Sequence, residues 1–460
     1  MGLVTAMLFS IGIKAIAALI EIIIQMLITN RIGVSGYGDY AFFVSFIEFI
    51  YFFAISGSIK LNTFYLSTDD VDISLFKKKY RLRFVAPLLT SVFIISIVLR
   101  SQYGCIAAIV LLFYYLAYDK SSVFLSKGHQ LPALIGEYIL SRSVMLIGLV
   151  VCLKIGKTSG LVLLSLYGFQ FVIMLAWFLF FENRLQRGLK SVPVSLRKLW
   201  EYQKSDIATA LISYSPTILQ YVIGGAFTAG FTGIITIVKK CINFISGPTA
   251  KVFLPEFSRL YKSGEKEQLK KSYLMIVRVQ MVFIGTIGAL LIGFPKYVLK
   301  MFNSELIPYA MTFTIAAVCL LFIAGIGPVT GLLQMTGGER ICNINQWISI
   351  GVMIIVWLVF HNTPLFAVYG LASQAVIEGV LKYYSVCRWF KQQIIPIKSY
   401  IILWLPVCLI RVLVELFSLH YSLVALIPSV LFVFAWNSIF ALRDPMVKKV
   451  VHGVFNRGKK

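Results

Sequence analysis

Ionisable residues set deep in apolar runs are where this sequence could do chemistry. Lys14, Glu21 and Gln25 fall in the first run at spacings of seven and four, so on an α-helix they share one face. Glu48 lies eight residues into the second run, near mid-depth, and Arg142 sits at a similar depth in a later run, with Glu137 and Ser141 around it. Lys239, Lys240 and Asn243 mark another run, and Gln374, Glu378 and Lys382 step by four through one more. A charge at the centre of a membrane helix costs roughly 2.5–3.5 kcal/mol on insertion scales, and arginine cannot escape by deprotonation. These groups are therefore expected to face water or a partner, lining an internal cavity with excess positive charge. Arg142, Lys239, Lys240, Lys14 and Asn243 are the candidates for binding an anion; Glu21, Glu48, Glu378 and Lys382 are the candidates for ion coupling or further cavity lining.

Other readings stand beside these. Lys382, Lys251 and Arg278 lie within about two turns of a helix end and could snorkel to headgroups. Glu378 with Lys382, and Arg411 with Glu415, are spaced as intrahelical ion pairs that could be purely structural. Gln334, Asn343 and Gln346 could be interhelical hydrogen-bond partners as readily as ligand contacts.

Composition sets the surroundings. With 59% hydrophobic and 13% charged residues among 460, the chain is far more apolar than a soluble domain. The formal charge of +24 does not gather into one stripe; it recurs in short blocks between apolar runs, which is loop charge and not a nucleic-acid footprint. Seven cysteines form no C-x-x-C pair, so neither a disulfide framework nor a metal site is indicated, and no cofactor is implied. The first run lacks a positive leader and a small-residue cleavage site and is expected to be retained as a helix.

At about 20 apolar residues per crossing, the sequence predicts an all-α polytopic membrane protein of about fourteen helices, with twelve also compatible. The third (84–99), fourth (104–118) and thirteenth (401–417) candidates are short. Lysine and arginine crowd alternate connections and the final tail, which places both termini in the cytoplasm. The longest polar segment, 182–206, divides the chain: an N-terminal lobe at 1–184, a cytoplasmic linker at 185–206, a C-terminal lobe at 207–388, two trailing helices at 389–442 and a basic tail at 443–460. The glycines of "GVSGYG", 33–38, lack the strand-loop-helix context of a nucleotide cradle and predict a tight external turn. Two glycine-aromatic turns, "SGYGDY" at 35–40 and "TAGFTG" at 228–233, each open a helix carrying charge about three turns on, a weak internal repeat. Two related bundles with a midplane site between them are a common transporter design.

Several segments resemble the polysaccharide transporters, including the O-antigen flippases, of the multidrug, oligosaccharidyl-lipid and polysaccharide (MOP) exporter superfamily. These are "PTAKVFLPEFSRLYKSGEKEQLKKSY" from Pro248, "RIGVSGYGDYAFFVSF" from Arg31, "LLQMTGGERICNINQW" from Leu332 and "FAVYGLASQAVIEGVLKYY" from Phe366. The resemblance implies two six-helix lobes around a cavity open alternately to each side. It also implies a cargo, an undecaprenyl diphosphate-linked oligosaccharide carried to the outer leaflet of a bacterial inner membrane, with a proton or sodium gradient as driving force. Membrane lipids, a polysaccharide polymerase and a chain-length regulator are the implied partners. It carries over no residue-level signature, so the site residues rest on the reading above. The rivals are a membrane polymerase or ligase, which would want a large external loop, and a small-molecule or multidrug exporter, which would want an acidic cavity.

Overall fold

The computed structural model describes residues 3–57, 59, 62, 66, 88–92, 102–127, 129–156, 158–182, 196–391 and 397–443. Most of the expected crossing at 84–99, the first half of the linker at 185–206 and nearly all of the tail at 443–460 lie outside them.

Every regular element among the described residues is helical. They run α1 Leu3–Ile50, α2 Gln102–Ser126, α3 Gln130–Leu134, α4 Ser141–Ile155, α5 Gly160–Phe181, α6 Leu196–Ser213, α7 Ser215–Lys262, α8 Lys266–Gly293, α9 Pro295–Phe302, α10 Ala310–Gly325, α11 Val329–Met335, α12 Glu339–Phe360, α13 Phe366–Phe390, α14 Ile397–Leu416 and α15 Leu423–Leu442. Among the described residues nine segments are long and apolar enough to cross a membrane; two of them, 12–55 and 203–242, are each long enough to cross twice. Helix α13 forms as expected but is absent from that set, because its polar stripe at Gln374, Glu378 and Lys382 lowers its hydropathy. The protein is an all-α, multi-pass membrane fold.

The predicted external turn is shorter than expected. Helical backbone continues to Ile32 and resumes at Val34, and the chain bends at one residue, Gly33, with φ 77° and ψ 169°. Helix α7 bends the same way at Gly225, with φ 81° and ψ 179°. Only glycine adopts this backbone without strain, and bending at one residue leaves few amides unpaired. The two bends fix the repeat register: Gly33 answers to Gly225, Val34 to Ala226, Gly38 to Gly230, Ala41 to Gly233 and Glu48 to Lys240. This register differs by one residue from an alignment of "SGYGDY" at 35–40 with "TAGFTG" at 228–233.

The chain groups into two compact units, one of residues 16–233 and one joining 1–15 to 234–460. Helix α6 and the start of α7 therefore fall with the helices before them. Within the first unit, the segments after the two bends cross backbone to backbone. A Cβ on Gly38 would lie 1.7 Å from the Ala226 carbonyl oxygen, and one on Gly230 would lie 2.4 Å from that of Val34. The contact is reciprocal, as a two-fold repeat requires.

In the second unit Phe257, Leu269, Tyr273, Ile276, Leu332 and Leu333 form a buried core. The break between α10 and α11 passes through this core, with Gly327 at φ 94°. The carbonyls of Gly325 and Ile326 there accept hydrogen bonds from the hydroxyls of Tyr400 and Tyr273, each at 2.7 Å. Interrupted helices are tolerated at membrane depth when side chains satisfy the freed groups in this way. The faces of α14 and α15 are the inverse of a soluble surface: Leu416 and Val424 are 72% and 85% exposed.

Candidate functional site

Each unit holds its own buried polar cluster. In the unit of 16–233, α1 presents Glu21 and Gln25 one turn apart, and the Gln25 amide donates to Glu21 at 2.9 Å, as their spacing predicts. The other Glu21 oxygen lies 3.1 Å from Arg142 of α4. Glu48, 8% exposed, accepts a 3.1 Å hydrogen bond from the hydroxyl of Tyr167 in α5 and a further one from Tyr214. Tyr40 packs edge-on against Tyr167 at 6.4 Å, and Tyr118 completes the surroundings of Arg142.

Two π-helical turns frame this cluster. One, Tyr51–Ile55, follows Glu48; the other, Ile135–Leu140, carries Glu137 and ends just before Arg142. Such turns shift the phase of a helix and recur at functional sites. Glu137 reaches Ser121 of α2 at 3.3 Å. The Ser141 hydroxyl is spent on the Glu137 carbonyl at 2.6 Å.

Arg142, expected among the anion-binding cations, lies against Glu21 in this cluster. The physical reason is that α1 and α4 pack close enough for a charge-assisted bond, which is worth more than leaving either group alone at this depth. With Glu21, Glu48 and Glu137 gathered near the Arg142 guanidinium and a lining of tyrosine hydroxyls, the cluster is chemically suited to a proton or a cation.

The second unit collects the other candidates. Glu378 and Lys382 form the expected pair on α13 at 2.6 Å, and Gln374 bonds both Glu378 and, at 3.3 Å, Ser349 of α12. Asn345 donates to Ser385 across the same two helices at 2.9 Å. Lys239 of α7 lies within electrostatic reach of Glu378 and Lys382. Lys14, 6% exposed, and Lys240 belong to this unit too. The side chain of Asn243 lies outside the described residues. The cations Lys239 and Lys382 gather at Glu378, and lysine ammonium groups placed together can meet an anion. Arg411 also pairs with Glu415 as its spacing predicts, away from both clusters on α14.

The tyrosines are the members of this cluster that charge-based reading missed. Tyr40, Tyr114, Tyr118 and Tyr167 are all buried or nearly so beside Glu48 and Arg142. A signal did exist, since Tyr114 and Tyr118 are one turn apart inside an apolar run, where a hydroxyl must find a partner.

Several chains of known structure share this architecture. The lipid II flippase MurJ, in an inward closed conformation, matches with a TM-score of 0.64 at 14% identity, over 95% of this chain and 100% of its own. An inward-facing multidrug resistance transporter of the MATE family matches at 0.60 with 13% identity, over 82% of this chain and 94% of its own. A MOP superfamily transporter from Pyrococcus furiosus, described by the reverse polarity of its binding pocket, matches at 0.52 with 13% identity, over 85% and 92%. No protein-family model and no curated relative matches the sequence. The chain has the helical, multi-pass fold of the MOP superfamily transporters.

Proposed function

We propose that this protein is a flippase, catalysing no covalent step, that carries an undecaprenyl diphosphate-linked oligosaccharide from the cytoplasmic to the outer leaflet of a bacterial inner membrane by alternating access. The observation that carries the reading is the gathering of two lysines, Lys239 and Lys382, about the buried Glu378. A diphosphate passing there would be met by lysine ammonium groups, with Lys240 and Lys14 in the same unit. The tyrosine-lined carboxylates of the other unit supply the coupling element, with Glu48 or Glu21 taking up a proton or sodium ion, and Glu378 as the alternative. Polymerase and chain-length regulator would act on the product outside.

Lys239→Ala/Lys240→Ala is expected to lower outer-leaflet lipid-linked oligosaccharide at least tenfold, with the same intermediate accumulating inside, because each charged hydrogen bond to phosphate is worth roughly 1.5–3 kcal/mol. Lys239→Arg/Lys240→Arg should retain most of the export. Unchanged surface oligosaccharide in the alanine variant, at equal protein level, would reject the reading.

A second reading has its own observation. The carboxylates Glu21, Glu48 and Glu137 among tyrosine rings suit a cationic aromatic molecule, as a small-molecule exporter would need. Efflux of a cationic dye, abolished by Glu48→Gln and untouched by the lysine substitutions, would favour it.

A further inference from the structure

The π turn at Tyr51–Ile55 is held open by a side chain from another helix. Gln203 of α6, 9% exposed, donates from Nε2 to the carbonyls of Phe52 and Phe53, at 2.9 and 2.5 Å. Its Oε1 accepts from the Gly57 amide at 3.0 Å. One amide side chain thus occupies the Phe53 carbonyl and the Gly57 amide, which a regular turn would pair with one another, and shares the Phe52 carbonyl with the Ser56 hydroxyl at 3.1 Å, while the Ser56 amide reaches back to Tyr51. Next to it the Ser56 hydroxyl donates to Asp206 at 2.7 Å. Glycine at 57 is required for this seat, since a Cβ there would lie 2.5 Å from Gln203 Oε1.

A side chain inserted into the hydrogen-bond ladder is one of the few identified causes of a local change in helix geometry. Closing the π turn to an α turn would remove the wider turn and rotate the segment beyond it by about 100°, one residue's worth of helical twist. Glu48 lies less than one turn before this point, bonded to Tyr167. We propose that Gln203 is a positioning residue: its side chain wedges the helix open after Glu48 and so sets the phase between Glu48 and Ser56–Gly57 beyond the turn. Withdrawal of α6 would then release a rotation at the carboxylate, a direct route from the start of α6 to the coupling element. The consequence for transport rests on the flippase reading above; the wedge itself does not.

The test uses the purified full-length chain in nanodiscs, with its seven cysteines replaced and single cysteines placed at Phe53 within the turn or Ser56 beyond it. Phe53 is 44% exposed and Ser56 is 4% exposed. A lipid-soluble maleimide should label position 53 at least tenfold faster than position 56. Gln203→Leu, which neither donates nor accepts, should bring that ratio to near one or invert it while gel-filtration elution stays unchanged. Gln203→Glu keeps the acceptor for Gly57 and loses both donations, so it should shift the ratio the same way and serves if the leucine variant fails to fold. A parental labelling ratio in either folded variant overturns the proposal. Labelling needs no substrate, so a shifted ratio combined with no oligosaccharide export in the parent protein would reject the flippase reading alone.

Discussion

Gly38→Ala should destabilise the protein by about 3 kcal/mol, more than Gly230→Ala or Gly36→Ala. The added methyl would stand 1.7 Å from the Ala226 carbonyl oxygen. That oxygen belongs to backbone and cannot rotate aside, so the two segments must move apart and lose the packing that holds their crossing. Membrane helices lack a hydrophobic drive toward one another and depend on this close approach, with weak Cα–H···O contacts adding to it. Gly230→Ala, 2.4 Å from the Val34 carbonyl oxygen, is the reciprocal change and should act in the same direction with a smaller effect. Gly36→Ala is the control. Its methyl would meet only the flexible Ile32 side chain of the preceding turn, at 3.2 Å, and it gains up to about 1 kcal/mol of helix propensity. Thermal unfolding of the three variants in one detergent, followed by tryptophan fluorescence, reads the order directly. Equal midpoints for Gly38→Ala and Gly36→Ala would show that the crossing is not tight.

Arg142→Ala should cost roughly 3 kcal/mol, near the lower end of what breaking a buried ion pair costs, because about a quarter of the arginine side chain reaches solvent. The penalty arises from what stays behind: Glu21, with 12% of its side chain exposed, would keep its charge at membrane depth without the guanidinium 3.1 Å away. Removing both charges should therefore be milder than removing one. In a double-mutant cycle, Glu21→Gln/Arg142→Gln is expected to be more stable than Arg142→Gln alone, with a coupling of about 1–3 kcal/mol. Denaturant titration of the four proteins in a common detergent measures it. Strict additivity would mean that the two groups act independently, and would return Arg142 to the set of available cations.

Local spacing carried the intrahelical part of both clusters. Gln25 with Glu21, Lys382 with Glu378, and Arg411 with Glu415 each bond as a separation of four residues requires. The repeat was visible in the sequence as two glycine-aromatic turns, but its register was not. The repeat is anchored by the φ/ψ of Gly33 and Gly225 and by the backbone contact of Gly38 with Gly230, and nothing in the order of side chains encodes either. The partner of Arg142 was equally hidden. Glu137 and Ser141 are its neighbours in sequence, yet Glu21 holds it, because two helices far apart in the chain lie side by side.

The amino-acid order alone determined that this chain is helical, apolar and multi-pass, and that certain charges must be sheltered from lipid. Those are consequences of composition and of a 3.6-residue period, properties that each segment possesses in isolation. Tertiary structure decided which charges meet: Arg142 lies against Glu21, while Lys239 joins Lys382 at Glu378. Net charge at a site is a sum over several helices, and packing alone determines which helices enter that sum.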